Sequence, residues 1–258
     1  DGRTPTIAGN ANSGFTSINS FVGSTTATTD VLQGLNAPAT WSITATNSYL
    51  AGGQSATFTS IGELRGGSAV DQFIFGTGAA LAATINGGGN NDRIEGGDAA
   101  DTFNITGSDS GEAIVGGVTS TFQSVELLSG GVGADTFSVS DTGSLSGGID
   151  GGDDSDTLIG DNDGNTFVLT ADNTGSLTDK LNTGALSADG FTSVENLTGG
   201  TGVDIFTIVF NLAGNVSGLA GADQVTVTAV TVGGQVQGGN DDDAIELQAG
   251  ATINGGTF

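Results

Sequence analysis

The feature that most constrains this chain is that it repeats itself at a fixed distance. Phe58-Thr59-Ser60-Ile61 returns as Phe122-Gln123-Ser124-Val125, and Gly66-Gly67 with Asp71 and Phe73 returns as Gly130-Gly131 with Asp135 and Phe137, always at an offset of 64 (58 to 122, 66 to 130). The same offset carries Ile85 to Ile149, Gly87-Gly88 to Gly151-Gly152, Asp92 to Asp156, and Asp101-Thr102-Phe103 to Asn165-Thr166-Phe167 without a gap. A third copy opens at Phe191-Thr192-Ser193-Val194-Glu195-Asn196-Leu197, where the offset from Phe122 has grown to 69, and an eroded copy, Phe15-Thr16-Ser17-Ile18, stands near the start. Self-similarity at one period means a stacked supersecondary unit, not a unique globular core.

A shorter beat lies inside the long one. The Asp that follows each Gly-rich turn recurs at steps of 21 (71 to 92 and 135 to 156), 19 (204 to 223) and 20 (223 to 243). This predicts coils of about 20 residues, three to each 64-residue unit, the third marked by Gly116-Gly117, where the acidic residue is missing. Phe73-Ile74-Phe75, Phe137-Ser138-Val139, Phe167-Val168-Leu169 and Val225-Thr226-Val227 have strand composition, and each follows a turn rich in Gly and Asp. Such a short coil can bury its apolar side chains only against its neighbours. The expected fold is therefore all-β, a parallel β-solenoid (β-helix or β-roll-like) with 64-residue super-repeats and alternate residues pointing inward. The repeat boundaries fall at 1–57, 58–121, 122–190 and 191–258, in one continuous solenoid of about twelve coils, a rod ~55–60 Å long at ~4.8 Å per coil. Ser24–Asp30 departs from the pattern as a Ser/Thr loop.

Charge and missing residue types exclude whole classes of function. Asp and Glu number 29 against 4 Lys and Arg, a net charge of −25 that repels nucleic acid and anionic membranes. No apolar run approaches the ~20 residues needed to cross a bilayer. The start, DGRTPTIAGN, has no basic or apolar leader and no initiator Met, as expected of a mature or excised piece. With no Cys and no His, thiol nucleophiles, disulfides, Cys/His zinc sites and imidazole acid–base chemistry are all absent, so a metal would have to be held by oxygen. Of the acids only six are Glu, leaving 23 Asp. Asp turns back on its own backbone beside glycine and also supplies the hard carboxylate oxygen that calcium takes.

Position bears on which role applies. Gly130-Gly131-Val132-Gly133-Ala134-Asp135-Thr136-Phe137-Ser138 and Gly199-Gly200-Thr201-Gly202-Val203-Asp204-Ile205-Phe206-Thr207 match G-G-x-G-x-D-x-U-x, with U large and apolar. Near matches stand at 66–74, 87–95, 96–104, 151–159, 218–226 and 238–246. The turn resembles the nonapeptide of the RTX, or haemolysin-type calcium-binding, repeat family. That resemblance implies Ca2+ shared between stacked turns, with ligand roles for Asp71, Asp92, Asp101, Asp135, Asp156, Asp204, Asp223 and Asp243. The chain departs from the family in its step of about twenty instead of eighteen, in Ala, Asn or Asp at the fourth position, and in Asn165 replacing an Asp. Fewer and more uneven sites are expected, along one edge. The alternative is a turn capped by hydrogen bonds alone; against it, stacked carboxylates repel, and Arg3, Arg65, Arg93 and Lys180 are too few to neutralise eight of them.

Three functional classes follow. The first is a structural segment of a bacterial extracellular filament, cell-surface fibre or giant adhesin, in keeping with the resemblance to long secreted repeat proteins. The second is a ligand-binding adhesin domain, its Thr-rich stretches TTATT and TVTAVT offering a flat array to glycan or ice. The third is a β-helix polysaccharide-degrading enzyme, the weakest, because each basic residue stands alone and carboxylate pairs such as Asp153-Asp154 lie in repeat turns. No catalytic residue is assigned. Phe58, Phe122 and Phe191 recur at one position and read as core. Ala251-Thr252-Ile253-Asn254-Gly255-Gly256 repeats Ala83-Thr84-Ile85-Asn86-Gly87-Gly88, so the chain is expected to stop in mid-coil and to continue in a longer polypeptide or associate head to tail into a filament.

Overall fold

A computed structural model describes residues 19–24, 30–179 and 190–256. Arg3, the copy at Phe15–Ile18, the TTATT segment, Lys180 and the final two residues lie outside the described residues. Among the described residues there is no helix and there are 27 strands. They form a 14-stranded sheet, an 11-stranded sheet and a two-stranded sheet, with mostly parallel pairing, and the whole is β-helix-like. The first two are called here the larger and the smaller sheet.

Successive strands alternate between these sheets, which is why positions about twenty apart in the chain become neighbours. In the smaller sheet Glu63 pairs with Thr84, and in the larger sheet Gln72 pairs with Arg93, the same step of 21 in both. Ile205 pairs with Gln224 and Gln224 with Ala244, steps of 19 and 20. Alternation along each strand divides it between core and solvent: in Asp71–Phe75 the first, third and fifth residues are buried. Leu64, Ile85, Ile94, Leu158 and Leu197 are fully buried in the cluster between the sheets. Phe58, Phe122 and Phe191 are buried too, as their recurrence suggests.

The stretch beginning near residue 102 is not the third simple coil that the spacing suggests. Thr102–Gly107, Ser110–Val115 and Val118–Gln123 run up, down and up as an antiparallel meander inserted into the smaller sheet. Gly116 and Gly117, with φ of 58° and 77°, make the tight turn between its last two strands. Ala39–Ile43 with Ser48–Ala51 and Gln54–Thr59, and Asn165–Ala171 with Thr174–Asp179 and Phe191–Thr192, form the corresponding meanders, both in the larger sheet. A ring on the first strand of each stacks on one in the coil that follows: Trp41 on Phe73 (5.6 Å), Phe103 on Phe137 (5.1 Å) and Phe167 on Phe206 (4.8 Å). Such contacts add about 1 kcal/mol each beyond burial.

Four alternating strands separate each meander from the next, so successive meanders fall in opposite sheets and equivalent residues change sheet from one copy to the next. Gln72 lies in the larger sheet and its counterpart Thr136 in the smaller. Phe103 lies in the smaller sheet and its counterpart Phe167 in the larger. The copies at 58, 122 and 191 share one backbone signature as well: Ser60, Ser124 and Ser193 have φ of 56°, 51° and 51°. The hexapeptides at 83–88 and 251–256, alike in sequence, are not equivalent in structure. Thr84–Asn86 is a strand of the smaller sheet, whereas Thr252–Ile253 belongs to the two-stranded sheet.

Candidate functional site: three carboxylate ladders

The Gly-Asp turns stand immediately before strands, and stacking places each turn against the next. In this register the backbone N–H of one acidic residue donates to the carboxylate of its successor. Asp71 donates to Asp92 Oδ1 at 2.7 Å, and Asp92 donates to Glu126 Oε2 at 2.7 Å. Asp101 donates to Asp135 Oδ1 (2.6 Å), Asp135 to Asp156 Oδ1 (2.8 Å) and Asp156 to Glu195 Oε2 (2.8 Å). Asn165 donates to Asp204 Oδ1 (2.6 Å), Asp204 to Asp223 Oδ1 (2.8 Å) and Asp223 to Asp243 Oδ1 (3.0 Å).

All eight Asp to which the family resemblance gives ligand roles belong to these three ladders. Seven are buried, while Asp243 is partly exposed. The spacing of the turns does not single out Glu126 and Glu195, although the recurring F-x-S-V-E at 122–126 and 191–195 marks them. The ladders do not share one edge, contrary to the expectation from the sequence. The first precedes strands of the larger sheet, the second strands of the smaller, and the third strands of the larger again. The meanders, by exchanging the sheets, interrupt and relocate the ladder.

The first glycine of each turn, five residues before the acid, is there because the carboxylate and, in most turns, a main-chain carbonyl of a neighbouring coil occupy the space of its missing side chain. A Cβ on Gly87 would meet the Ser124 carbonyl first and then Asp92 Oδ2 at 2.6 Å, and one on Gly96 would meet the Gly130 carbonyl first and then Asp101 Oδ2 at 2.7 Å. The turns then divide into two kinds. In one, the next residue's N–H caps the side chain: Gly67 donates to Asp71 Oδ2 (2.6 Å), Gly97 to Asp101 Oδ2 (2.6 Å), Gly200 to Asp204 Oδ2 (2.8 Å), and Asp161 to Asn165 Oδ1 (3.2 Å).

In the other kind that residue and the one two further on have positive φ: Gly88 with Asn90, Gly131 with Gly133, Gly152 with Asp154, Leu219 with Gly221, Gly239 with Asp241. The amide is turned away and nothing replaces it. Oδ2 of Asp92, Asp135, Asp156 and Asp223 is accordingly buried with no hydrogen-bond partner. At Asp71 and Asp101, first in their ladders, Oδ1 is the atom without one.

Titration follows from this geometry. Burial raises the Asp92 and Asp135 carboxyls to about 7 from 3.8, opposed by the amides of Asp71 and Asp101 and reinforced by neighbouring carboxylates. Burial likewise raises Asp156 and Asp223 to about 6. Asp71, Asp101 and Glu126 are pushed up by the same cause. Asn165 supplies what the carboxylates lack: its Nδ2 donates to Asp204 Oδ1 and to the Asp161 carbonyl, both at 2.9 Å.

Neither of the two described basic residues serves the ladders. Arg65 pairs with Glu63 at 2.7 Å and Arg93 with Glu95 at 3.1 Å, each across the face of its own strand. Among the described residues, no group of three or more acidic side chains is placed to hold a metal ion by itself. No helix among them is long and apolar enough to cross a membrane. No family model matches the chain, and no curated protein or solved structure matches it.

Proposed function

We propose that this chain is a non-catalytic structural solenoid, with coils of about 20 residues in 64-residue units, and that it forms part of a bacterial extracellular filament, surface fibre or giant adhesin. The observation that carries this reading is the set of buried carboxylate ladders: they run from coil to coil, and one oxygen of each successive acid is spent on holding main chain. The recurring stacked aromatic pairs fit the same purpose, since they tie each meander to the coil that follows.

Calcium has a definable place in the proposal. Oδ2 of Asp92, Asp135, Asp156 and Asp223 is a hard, buried oxygen without a donor, as a divalent cation would require. These four residues fit an ion in kind. The rest of a six- to eight-oxygen shell would have to come from turn carbonyls and water. Asp204, whose two oxygens both accept main-chain N–H groups, fits less well. A bound ion would supply positive charge to the ladder, and the Asp residues would orient their turns around it.

End-to-end association, or continuation within a longer chain, is the proposed mode of assembly. Among the described residues Ala244–Leu247 pairs with a strand on one side only, and Leu247 is 48% exposed. The test is calorimetry and thermal melting of the chain with calcium and with a chelator, followed by electron microscopy. Calcium binding that raises the melting temperature by mass action, with elongated particles, is the expected result. A melting temperature indifferent to chelation would remove calcium from the proposal, and compact single particles at all concentrations would remove assembly.

A further inference from the structure

The outer face of the smaller sheet is uncharged over six neighbouring strands, which is unexpected on a chain of net charge −25. One row of half-exposed side chains runs Asn104, Ser138, Ile159, Thr198, Ser217, Gln237, each paired in register with the next. A second row, two residues away, runs Thr102, Thr136, Thr157, Asn196. Neither contains an acid or a base. The larger sheet carries Arg93, Glu95, Asp150 and Glu246 at outward positions, and its uncharged run through Val168, Thr207 and Thr226 is shorter and ends in register at Glu246. The first row ends in register at the exposed Glu112 beyond Asn104, and the turns on either side carry exposed acids, Asp98, Asp153 and Asp154 on one side and Asp141 and Asp163 on the other.

We infer that this face is where a second copy of the chain docks side by side. Two rods of the same strong negative charge repel one another except where carboxylates are missing, so the face is the least repulsive approach for another copy. Hydroxyl and amide groups are both donors and acceptors, so the surface is complementary to itself, the requirement for a contact that uses the same patch on both partners. Ile159 lies mid-row with Thr methyl groups near it in register, an apolar centre inside a polar rim. Rows at the ~4.8 Å strand spacing can be matched coil against coil along the length of both rods. The inference rests on the reading of the chain as a rod but not on calcium.

The experiment is sedimentation equilibrium in chelator, from about 0.01 to about 1 M NaCl, where the screening length falls from about 30 to about 3 Å and the acidic margins cease to repel. The expected result is a weight-average mass rising from 25.1 kDa toward twice that value with protein concentration and with salt. Ser138→Asp should weaken association at least tenfold, whereas Thr207→Asp on the larger sheet should leave it unchanged. Ser217→Cys should give a disulfide dimer on mild oxidation with the parent fold intact, an independent measure if Ser138→Asp unfolds. A mass fixed at 25.1 kDa at every salt and concentration, with no cross-link, overturns the inference. Association that persists equally in Ser138→Asp also overturns it, but leaves the fibre reading standing, because the copies would then meet by their ends.

Discussion

The main-chain N–H of Asp135 donates to Oδ1 of Asp156, one coil further on, at 2.8 Å, while Oδ2 of the same Asp156 is buried with no partner. One oxygen thus ties two coils together, and the other makes that tie conditional on a proton or a cation.

In chelator, the protein is expected to grow more stable as the solution is acidified. The folded-state values of Asp92 and Asp135, about 7, and of Asp156 and Asp223, about 6, lie above the ordinary 3.8. Between these values the folded chain binds more protons than the unfolded one, so stability falls with rising pH. This contribution is fully present below about pH 4 and is lost as pH rises through about 6 to 7. Thermal melts from about pH 4 to about pH 8 provide the check, and a melting temperature that is flat or falls on acidification would contradict the ladder chemistry.

Asp135→Asn and Asp135→Ala should have opposite effects. The amide keeps an acceptor for the Asp101 N–H, as Asn165 Oδ1 accepts the Asp161 N–H in its own turn, and removes a buried charge. It is expected to raise stability in chelator near pH 8 by about 1 kcal/mol and to blunt the pH dependence. Alanine leaves that buried N–H without a partner and should cost about 1–3 kcal/mol at all pH values. Denaturant midpoints of the two variants at two pH values separate the outcomes.

Gly87→Ala tests the packing of carboxylate against glycine. Its Cβ would strike the Ser124 carbonyl as well as Asp92 Oδ2, the latter at 2.6 Å on a side chain held in place by the Asp71 N–H, so the turn must shift at a cost of about 2–3 kcal/mol or more. Gly52 is the control. It has a φ of 56° and open space around it, so Gly52→Ala should cost only about 1 kcal/mol, from backbone strain. Equal effects in denaturant unfolding would mean that the close approach of the acid and of the neighbouring main chain is not what selects glycine.

How much of the fold and its ladders is legible depends on what the sequence encodes locally. The period, the strand-forming Phe triplets and the buried Asp are all written in local pattern, because a stacked residue must satisfy the same neighbours in every copy. The change of sheet is not legible. Thr102-Phe103 and Thr166-Phe167 look alike, and nothing within either fragment records whether an odd or an even number of strands came before. Gly116-Gly117 resembles a coil turn that has lost its acid, since a hairpin turn and a coil turn use glycine for the same freedom of φ. Asp109 stands outside the Gly-Asp turns in the sequence, yet it occupies the tip of the meander and accepts from the Ser146 N–H at 2.6 Å and Oγ at 3.0 Å. Those contacts come from a distant part of the chain, where no local pattern reaches. The two kinds of turn are half legible: Ala69 and Ala99 at the fourth position disfavour positive φ and predict the capped kind, but Gly202 permits either and is capped.

Asn165→Asp restores the residue that the repeat would place there, and it should be harmful without cations. Asn165 Nδ2 now gives one N–H to Asp204 Oδ1 and another to the Asp161 carbonyl, each at 2.9 Å, while its Oδ1 accepts from the Asp161 amide. Aspartate would forfeit both donors and set a second buried carboxylate against Asp204, so the pair could not ionise together. The expected cost near pH 8 in chelator is about 2–4 kcal/mol, part from the lost hydrogen bonds and part from unpaired buried charge. Acid should recover most of it, because one proton restores a donor between the two oxygens, and calcium should recover it only if an ion can enter this ladder. Denaturant midpoints of wild type and variant near pH 5 and pH 8, with and without calcium, distinguish these effects. A variant as stable as wild type in chelator near pH 8 would show that the amide at 165 is incidental to the ladder.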